Sequence, residues 1–232
     1  MNMRVSAIIL ARAGSQGIPG KNIIDFCGKP LLAWTVEQCI NAKGVDDVWV
    51  SSDSKEILDI GSQYGAKSIL RPDNISGNQA SSESGWLHAI DRIEHKTSDV
   101  DLVVAPQVTS PVRESIDISN ALADMKLRSL DSLLTVNDAT ELFMWSLDKK
   151  NNPQSTTYDY LNRKPRQLIE THFLENGSFY IFSPKILRKY NNRLGGEIGF
   201  KVLEKHKMMQ IDNSEDLRLC AVIMRGYHLD EI

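Results

Sequence analysis

The sequence is poor in cysteine: Cys27, Cys39 and Cys220 lie far apart and form no CxxC pair. That spacing excludes a disulfide framework and a thiolate zinc site and fits reduced thiols. No apolar run approaches the roughly 18 residues a membrane-spanning helix needs. Residues 7–11 are the only apolar stretch near the start, and they run straight into a glycine loop, which does not read as a secretion signal. Basic charge is also scarce. Lys and Arg number 27 against 30 Asp and Glu, a formal net of −3, so the footprint of a general nucleic-acid binder is missing. The five histidines are scattered rather than paired at ligand spacing, and no GxSxG elbow occurs. These absences leave a soluble, cytoplasmic globule with no membrane or nucleic-acid partner.

What is present is ordinary in amount: 232 residues, 41% hydrophobic and 25% charged. A chain of this length buries roughly 70–75% of its unfolded surface. Residues 5–10 form a short apolar run closed by glycines, a buried-strand signal. Leu32, Val36, Cys39 and Ile40 then keep the spacing of a helix face opened by Pro30. Strand patterns recur at 47–51, 102–105 and 132–136, and helix stripes at Trp86/Ile90/Ile93 and Ile118/Ala121/Leu122/Met125. Alternation of this kind predicts βαβ units and a doubly wound, mostly parallel α/β sheet. The rhythm breaks at 148–172, which is polar, holds the basic patch from Arg163 to Arg166, and shows no core period. A structureless loop of that length is unusual in a packed domain, so the segment reads as an arm, a lid or a dimer contact. A strand at 178–182, a helix opened by Pro184 and a last helix with Leu217, Cys220, Ala221 and Met224 follow, with Ser214 as its expected N-cap.

The most informative segment runs from Ala11 to Asn22, ARAGSQGIPGKN, directly after the first strand. Ligands of open α/β sheets sit at the carboxyl ends of strands. Gly14, Gly17 and Gly20 let the backbone approach a ligand, and successive N–H groups can form an anion nest. Arg12 and Lys21 add positive charge on either side, which suits a triphosphate. Neither common phosphate loop fits. A Walker A loop needs glycine where Ser15 stands and Ser or Thr where Asn22 stands, and no GxG begins a dinucleotide fingerprint.

The loop resembles the ARxGSKGIPxKN motif of the CMP-sialic acid synthetases, the N-acylneuraminate cytidylyltransferases. Further stretches in family order resemble the rest of that pattern: Val50 to Asp53, Arg71-Pro72 with Ser81-Ser82, Gln107 to Pro111, Arg166-Gln167, Glu175 to Tyr180, and Ile211-Asp212 before Asp216. Two positions depart from it. Gln16 stands where the family usually has lysine, and Gln210 where it has the first aspartate of Asp-Ile-Asp.

The resemblance implies one Rossmann-like nucleotidyltransferase domain over 1–232, with an inserted arm at about 140–175 that packs on the second subunit of a homodimer. It implies a cytidylyltransferase in which the anomeric hydroxyl of a nine-carbon 2-keto-3-deoxy sugar acid attacks the α-phosphate of CTP, with Mg2+ as cofactor and pyrophosphate leaving. Arg12, Lys21 and Asp212 are the implied catalytic residues, Asp212 being the metal ligand. Backbone and side chains of Ala11, Arg12, Ala13, Gly14, Ser15, Gly17 and Lys21 would hold the triphosphate, with Asn22, Arg71 and Ser82 completing the nucleotide site. Asn22, Gln107, Arg166, Gln167, Glu175, Asn176 and Tyr180 would face the sugar acid. Plainer readings stand beside these: Ser82 as a helix cap, Asn176-Gly177 as a turn, Arg166 as a solvated cation, and Asp216 as a first-turn helix acid rather than a second ligand. The sequence leaves open which acid is used (N-acetylneuraminate, Kdn, legionaminate, pseudaminate or Kdo) and which base. A P-loop-type NTPase and a non-catalytic sugar-nucleotide sensor are the rival functions.

Overall fold

The computed structural model describes residues 3–15 and 17–231, and of Arg166 only the backbone. Gln16 therefore lies outside the described residues, as does the side chain of Arg166.

The elements follow the expected alternation. They are β1 (Val5–Leu10), a small hairpin of β2 (Asp25–Phe26) and β3 (Lys29–Pro30), α1 (Leu31–Ile40), β4 (Asp47–Ser52), α2 (Lys55–Gln63), β5 (Lys67–Leu70), α3 (Ser82–Lys96), β6 (Leu102–Pro106), α4 (Ser115–Leu127) and β7 (Ser132–Asp138). A second hairpin, β8 (Trp145–Leu147) with β9 (Pro153–Ser155), precedes β10 (Phe173–Phe182), α5 (Pro184–Tyr190), β11 (Ile198–Val202) and α6 (Ser214–Gly226). Seven strands form one sheet in the order β11-β7-β10-β6-β1-β4-β5. Neighbours pair in parallel except β10, which runs antiparallel to both β6 and β7.

Period-two alternation sends successive side chains to opposite faces and so builds two cores. Val5, Ala7 and Ile9 of β1 pack with Leu32, Leu122 and Met224, which belong to α1, α4 and α6. Ile8 faces the other way, onto Trp86, Ile90 and Ile93 of α3 and Leu187 of α5. Helices on both faces make the sheet doubly wound, as expected. The chain leaves β1 toward β4 on one side and enters β6 on the other. The loops after β1 and β6 therefore diverge above a switch point, where such sheets bind ligands.

Three local readings change. The N-cap of α6 is Asn213, not Ser214. A capping box needs an acid at the third helical position, and Asp216 stands there for Asn213, accepting its N–H at 3.0 Å. The 148–172 segment is not wholly irregular, since it includes β9 and a 3-10 turn at Arg166–Leu168. Finally, β10 begins at Phe173, inside the arm boundary read from the sequence.

Candidate active site

The glycine loop turns back over the end of β1 and is held from three sides. The Ala13 N–H donates to Asp53 Oδ1 at 3.0 Å, the Asn22 amide donates to the Arg12 carbonyl at 2.8 Å, and Arg12 donates to Asn78 at 2.6 Å. Gly20, at φ +63, allows the turn into the next short helix. The loop also locks onto a segment nearly the whole chain away. Lys21 Nζ donates to the Ile211 carbonyl at 2.8 Å and pairs with Asp212 Oδ1 at 3.1 Å. The Ile211 N–H in turn donates to the Thr109 carbonyl at 2.7 Å. Gly17 lies so close that a Cβ there would stand 2.1 Å from the Asp212 carbonyl oxygen.

These contacts leave a cleft of about 560 Å³ above the switch point. It gathers Arg12, Ser15, Gly17 and Lys21 from the loop, Asn22 behind them, Arg71 and Ser82 from the opposite side, and Asp212 at its edge. Arg71 is buried, its Nε bonded to Ser76 Oγ at 3.1 Å. Burial lowers its pKa and Arg12's like charge pushes the same way, against the opposing pull of Asp53. Two guanidiniums lining one cleft give it a positive surface that suits a polyanion. The Asp212 side chain is 72% exposed, whereas its partner Lys21 is only 12% exposed.

A smaller hollow of about 170 Å³ adjoins the cleft and shares Leu10, Asn22, Ser82 and Thr109 with it. Trp86, Pro106, Gln107 and Val108 complete its walls. Ser82 is free to serve both spaces because Ser81 is the cap of α3, accepting the Ser84 N–H at 3.2 Å. Above Gln107 sits Gly177, at φ +63 in a β-bulge of β10. A Cβ there would stand 2.5 Å from the Gln210 amide nitrogen, which donates to the Asn176 carbonyl at 2.5 Å. Gln210 thus braces the bulge and brings no carboxylate to the cleft.

The other residues read from the sequence fall in different places. Ala11 is buried beneath the loop, with its N–H on the Ser51 carbonyl. The N–H groups of Ala13 and Ser15 are bonded to Asp53 and to the Ala13 carbonyl, so the nest offers fewer open donors than the sequence suggests. Gly14 is exposed, with open space around it. Asn176 is buried in a network, its amide nitrogen donating to Asn137 at 2.7 Å and its oxygen 2.6 Å from Thr135 Oγ1. Tyr180 donates to Glu175 at 2.5 Å; burial and that bond push its phenol up to about 12. Gln167 lines a separate groove of about 720 Å³ with Thr140, Leu203 and Lys205, between the arm and the sheet edge. Asp216 accepts the N–H groups of Asp212 and Asn213, which makes it the capping acid.

A profile of the cytidylyltransferase family matches residues 6–226. The chain belongs to the cytidylyltransferase family. Its relatives include an N-acylneuraminate cytidylyltransferase of Oncorhynchus mykiss, 33% identical over 77% of this chain and 41% of that protein. A pseudaminic acid cytidylyltransferase of Campylobacter jejuni is 28% identical over 97% of this chain and 98% of its own length. The chain therefore spans about two-fifths of the fish relative and nearly all of the bacterial one. A solved CMP:2-keto-3-deoxy-manno-octonic acid synthetase in complex with CTP superposes with a TM-score of 0.71 at 16% identity, over 97% of this chain and 99% of that one. A 4-diphosphocytidyl-2C-methyl-D-erythritol synthase of Anaerococcus prevotii gives 0.66 at 16% identity, over 97% of each chain. Both share the doubly wound fold.

Sequence reasoning missed two buried cations behind the site. Arg113 lies within 2.9 Å of the carbonyls of Gln107, Ser110 and Ser178 and 2.7 Å from Thr35 Oγ1. It fixes the turn that carries Gln107 onto β10. Lys207, with 1% of its side chain exposed, bonds Glu114, Asp117 and Glu204 at 2.8–2.9 Å and anchors the stretch leading to Asp212. The Q-x-T-S-P stretch pointed at the first, but no local pattern marks the second.

Proposed function

We propose that the chain transfers CMP from CTP to the anomeric hydroxyl of a sialic-acid-like 2-keto-3-deoxy sugar acid. The observation that carries this reading is the meeting of Arg12, Lys21, Arg71 and Asp212 in one cleft that opens, through Asn22 and Ser82, into a hollow floored by Gln107. The cleft takes the triphosphate and the hollow the acid. In the reaction the hydroxyl oxygen bonds to the α-phosphorus, the bond from that phosphorus to the bridging oxygen breaks, and pyrophosphate leaves with the electron pair while the hydroxyl proton passes to water. Such transfers need alignment and charge neutralisation more than covalent help from the protein. Arg12, Lys21 and Arg71 supply the fixed charge. Asn22, at the boundary of the two spaces, holds the junction where the new bond forms. Glu175, Tyr180 and Arg166 serve the acid.

The donor set also suits magnesium. Mg2+ binds through one or two carboxylates together with phosphate oxygens and water, and Asp212 offers one exposed carboxylate at the cleft edge. When bound, the ion adds charge neutralisation for the triphosphate. The residues form one catalytic unit with an arm at 140–175 that seats against a second copy, working in the cytoplasm. Exposed Trp145, Leu147, Leu161 and Leu168 on the arm support that contact. The Campylobacter relative's near full-length match favours pseudaminate as the second reading of the acid.

The test is direct. The protein is incubated with Mg2+, a panel of nucleoside triphosphates and a panel of ulosonic acids, and pyrophosphate and the CMP-sugar are measured. Pyrophosphate only when CTP and an acid are both present is the expected result. No pyrophosphate with any pair refutes the transferase reading, and orthophosphate from triphosphate alone points to an NTPase.

A further inference from the structure

Among the described residues lining the cleft, Asp212 is the sole carboxylate, and a lysine already holds it. Lys21 Nζ lies 3.1 Å from Asp212 Oδ1 and 2.8 Å from the Ile211 carbonyl. Nearby positions give no second acid to the cleft. Gln210 carries an amide, whose nitrogen is spent on the Asn176 carbonyl. Asp216 Oδ2 accepts the N–H groups of Asp212 and Asn213 at 2.9 and 3.0 Å. An ammonium therefore sits on the carboxylate that a divalent cation in this cleft would use.

The two cations are rivals for Asp212. A dication there would stand beside a sheltered ammonium, and like charges repel more strongly as water is excluded from between them. A single carboxylate already neutralised by lysine holds Mg2+ poorly, because that ion keeps much of its water and relies on phosphate oxygens beside one or two carboxylates. A triphosphate changes both conditions. Arg12 and Arg71 line the same cleft as Lys21, so the anion arrives next to the ammonium. Nζ has three N–H donors, and phosphate oxygens accept them in charge-assisted hydrogen bonds. The flexible lysine stem lets Nζ turn from Asp212 to phosphate while one donor stays on Ile211. Asp212 is exposed, so its freed oxygen can turn without repacking. We infer that Lys21 blocks Asp212 from a divalent cation until triphosphate draws the ammonium away, so that the protein takes up metal with the nucleotide and not before it.

This inference rests on the proposed use of the cleft by CTP and magnesium, and binding measurements separate the two. Mn2+, standing in for Mg2+, is titrated into nucleotide-free protein and the free ion is followed by EPR. Wild type should bind it weakly. Lys21→Met should tighten Mn2+ binding about fivefold, the upper end of what a partly exposed ion pair is worth. Lys21→Arg keeps the charge and should give no gain, and Lys21→Met combined with Asp212→Asn should lose it. CTP binding is then measured by calorimetry in EDTA and in Mg2+. Asp212→Asn releases Lys21, so it should bind CTP several-fold more tightly than wild type in EDTA and more weakly in Mg2+. The gain in EDTA should shrink when Lys21 is already Met. The Asp212 side chain packs against little, so this variant carries the test if Lys21→Met does not fold. A pair that merely braced the loop would give losses throughout. The inference is overturned by Lys21→Met binding Mn2+ no better than wild type, or by Asp212→Asn binding CTP no better in EDTA. Pyrophosphate release by wild type alongside either result leaves the transferase reading intact. No pyrophosphate with any triphosphate and acid refutes that reading, while the Mn2+ titration still decides whether Lys21 blocks Asp212.

Discussion

Gly17→Ala is the sharpest probe of how the glycine loop is built. The loop and the segment bearing Asp212 touch backbone to backbone at Gly17, where an added Cβ would lie 2.1 Å from the Asp212 carbonyl oxygen and 3.3 Å from its carbon. No side chain lies between to swing aside. Relief of the overlap requires the two backbones to part by about 1 Å, because repulsion rises steeply inside van der Waals contact. Lys21 spans the same gap through Ile211 and Asp212, so a parting of that size also stretches its bonds at 2.8 and 3.1 Å. A misplacement of about 1 Å at a reacting centre costs on the order of 100-fold in rate. Steady-state pyrophosphate release should therefore show kcat falling by about that factor in Gly17→Ala. Its melting temperature should drop only modestly, since the contact lies at the surface of the fold. Gly14→Ala is the control for stability, because a Cβ there meets nothing within 4 Å and should leave the melt unchanged. Gly17→Ala with kcat within threefold of wild type would refute the idea that this backbone contact sets the geometry of the site.

Two further predictions concern residues outside the substrate's reach. Gly85→Ala in α3 places a Cβ 3.1 Å from an Arg71 guanidinium nitrogen and 3.0 Å from Leu10 Cδ1; the helix gains up to about 1 kcal/mol in propensity, so calorimetry should show an unchanged or raised melting temperature while KM for CTP rises several-fold, and an unchanged KM would show that Arg71 does not need its present place. Lys207→Met strips the counter-charge from Glu114, Asp117 and Glu204 and should cost about 3–5 kcal/mol in denaturant titration, as breaking a buried pair does. Burial alone would lower the Lys207 pKa, but the bonds from Glu114, Asp117 and Glu204 raise it above 10.5, so its stabilisation is complete below that value and is lost as pH climbs beyond it. Its bond lowers Glu204 below 4.5, so that share is present above 4.5 and is lost as pH falls. The difference between wild type and Lys207→Met should thus be a plateau between these values that shrinks on both sides, and a pH-independent difference would disprove the electrostatic account.

How far the sequence revealed all this depends on the distance over which each feature is encoded. The glycine loop was legible because its glycines, Arg12 and Lys21 stand within eleven residues, and chemistry that close in sequence stays close in any fold. Strands β1, β4, β6 and β7 were legible because burial on both faces demands continuous apolar runs. Edge strands β5 and β11 were not: half their residues face solvent, and KSIL and IGFKV carry mixed signals. The α6 cap was misplaced by one residue because Ser214 and Asn213 both cap well, and only the acid three places on decides between them. The arm hid its hairpin because Trp145 and Leu147 are exposed in a single protomer, so no core period marks them.

The deeper gap is electrostatic. A count of charges gives −3 and describes a mildly acidic surface, yet the cations that shape the site are not surface charges. Arg113 is 2% exposed, and burial pulls its guanidinium down to about 10, which still leaves it charged at neutral pH. Lys21 reaches across 190 residues to Ile211, Lys207 across 90 to Asp117, and Arg193 across 110 to Glu83. Each of these pins a loop to an element formed elsewhere in the chain, and each exposes a buried charge if its partner is removed. A buried cation is costly unless several acceptors converge on it, so its position dictates the backbone around it far more tightly than an apolar contact would. The loops at the ends of β1 and β6, which lack the ladder bonds that hold the sheet, obtain their rigidity in this way. The cations proposed to meet the triphosphate also stiffen the loops: Lys21 bonds Ile211 and Asp212, Arg12 bonds Asn78 and Arg71 bonds Ser76. Lys21→Met and Arg12→Met should therefore each depress substrate binding and loop order together, with the larger loss of order for Lys21, which ties the loop to the far end of the chain.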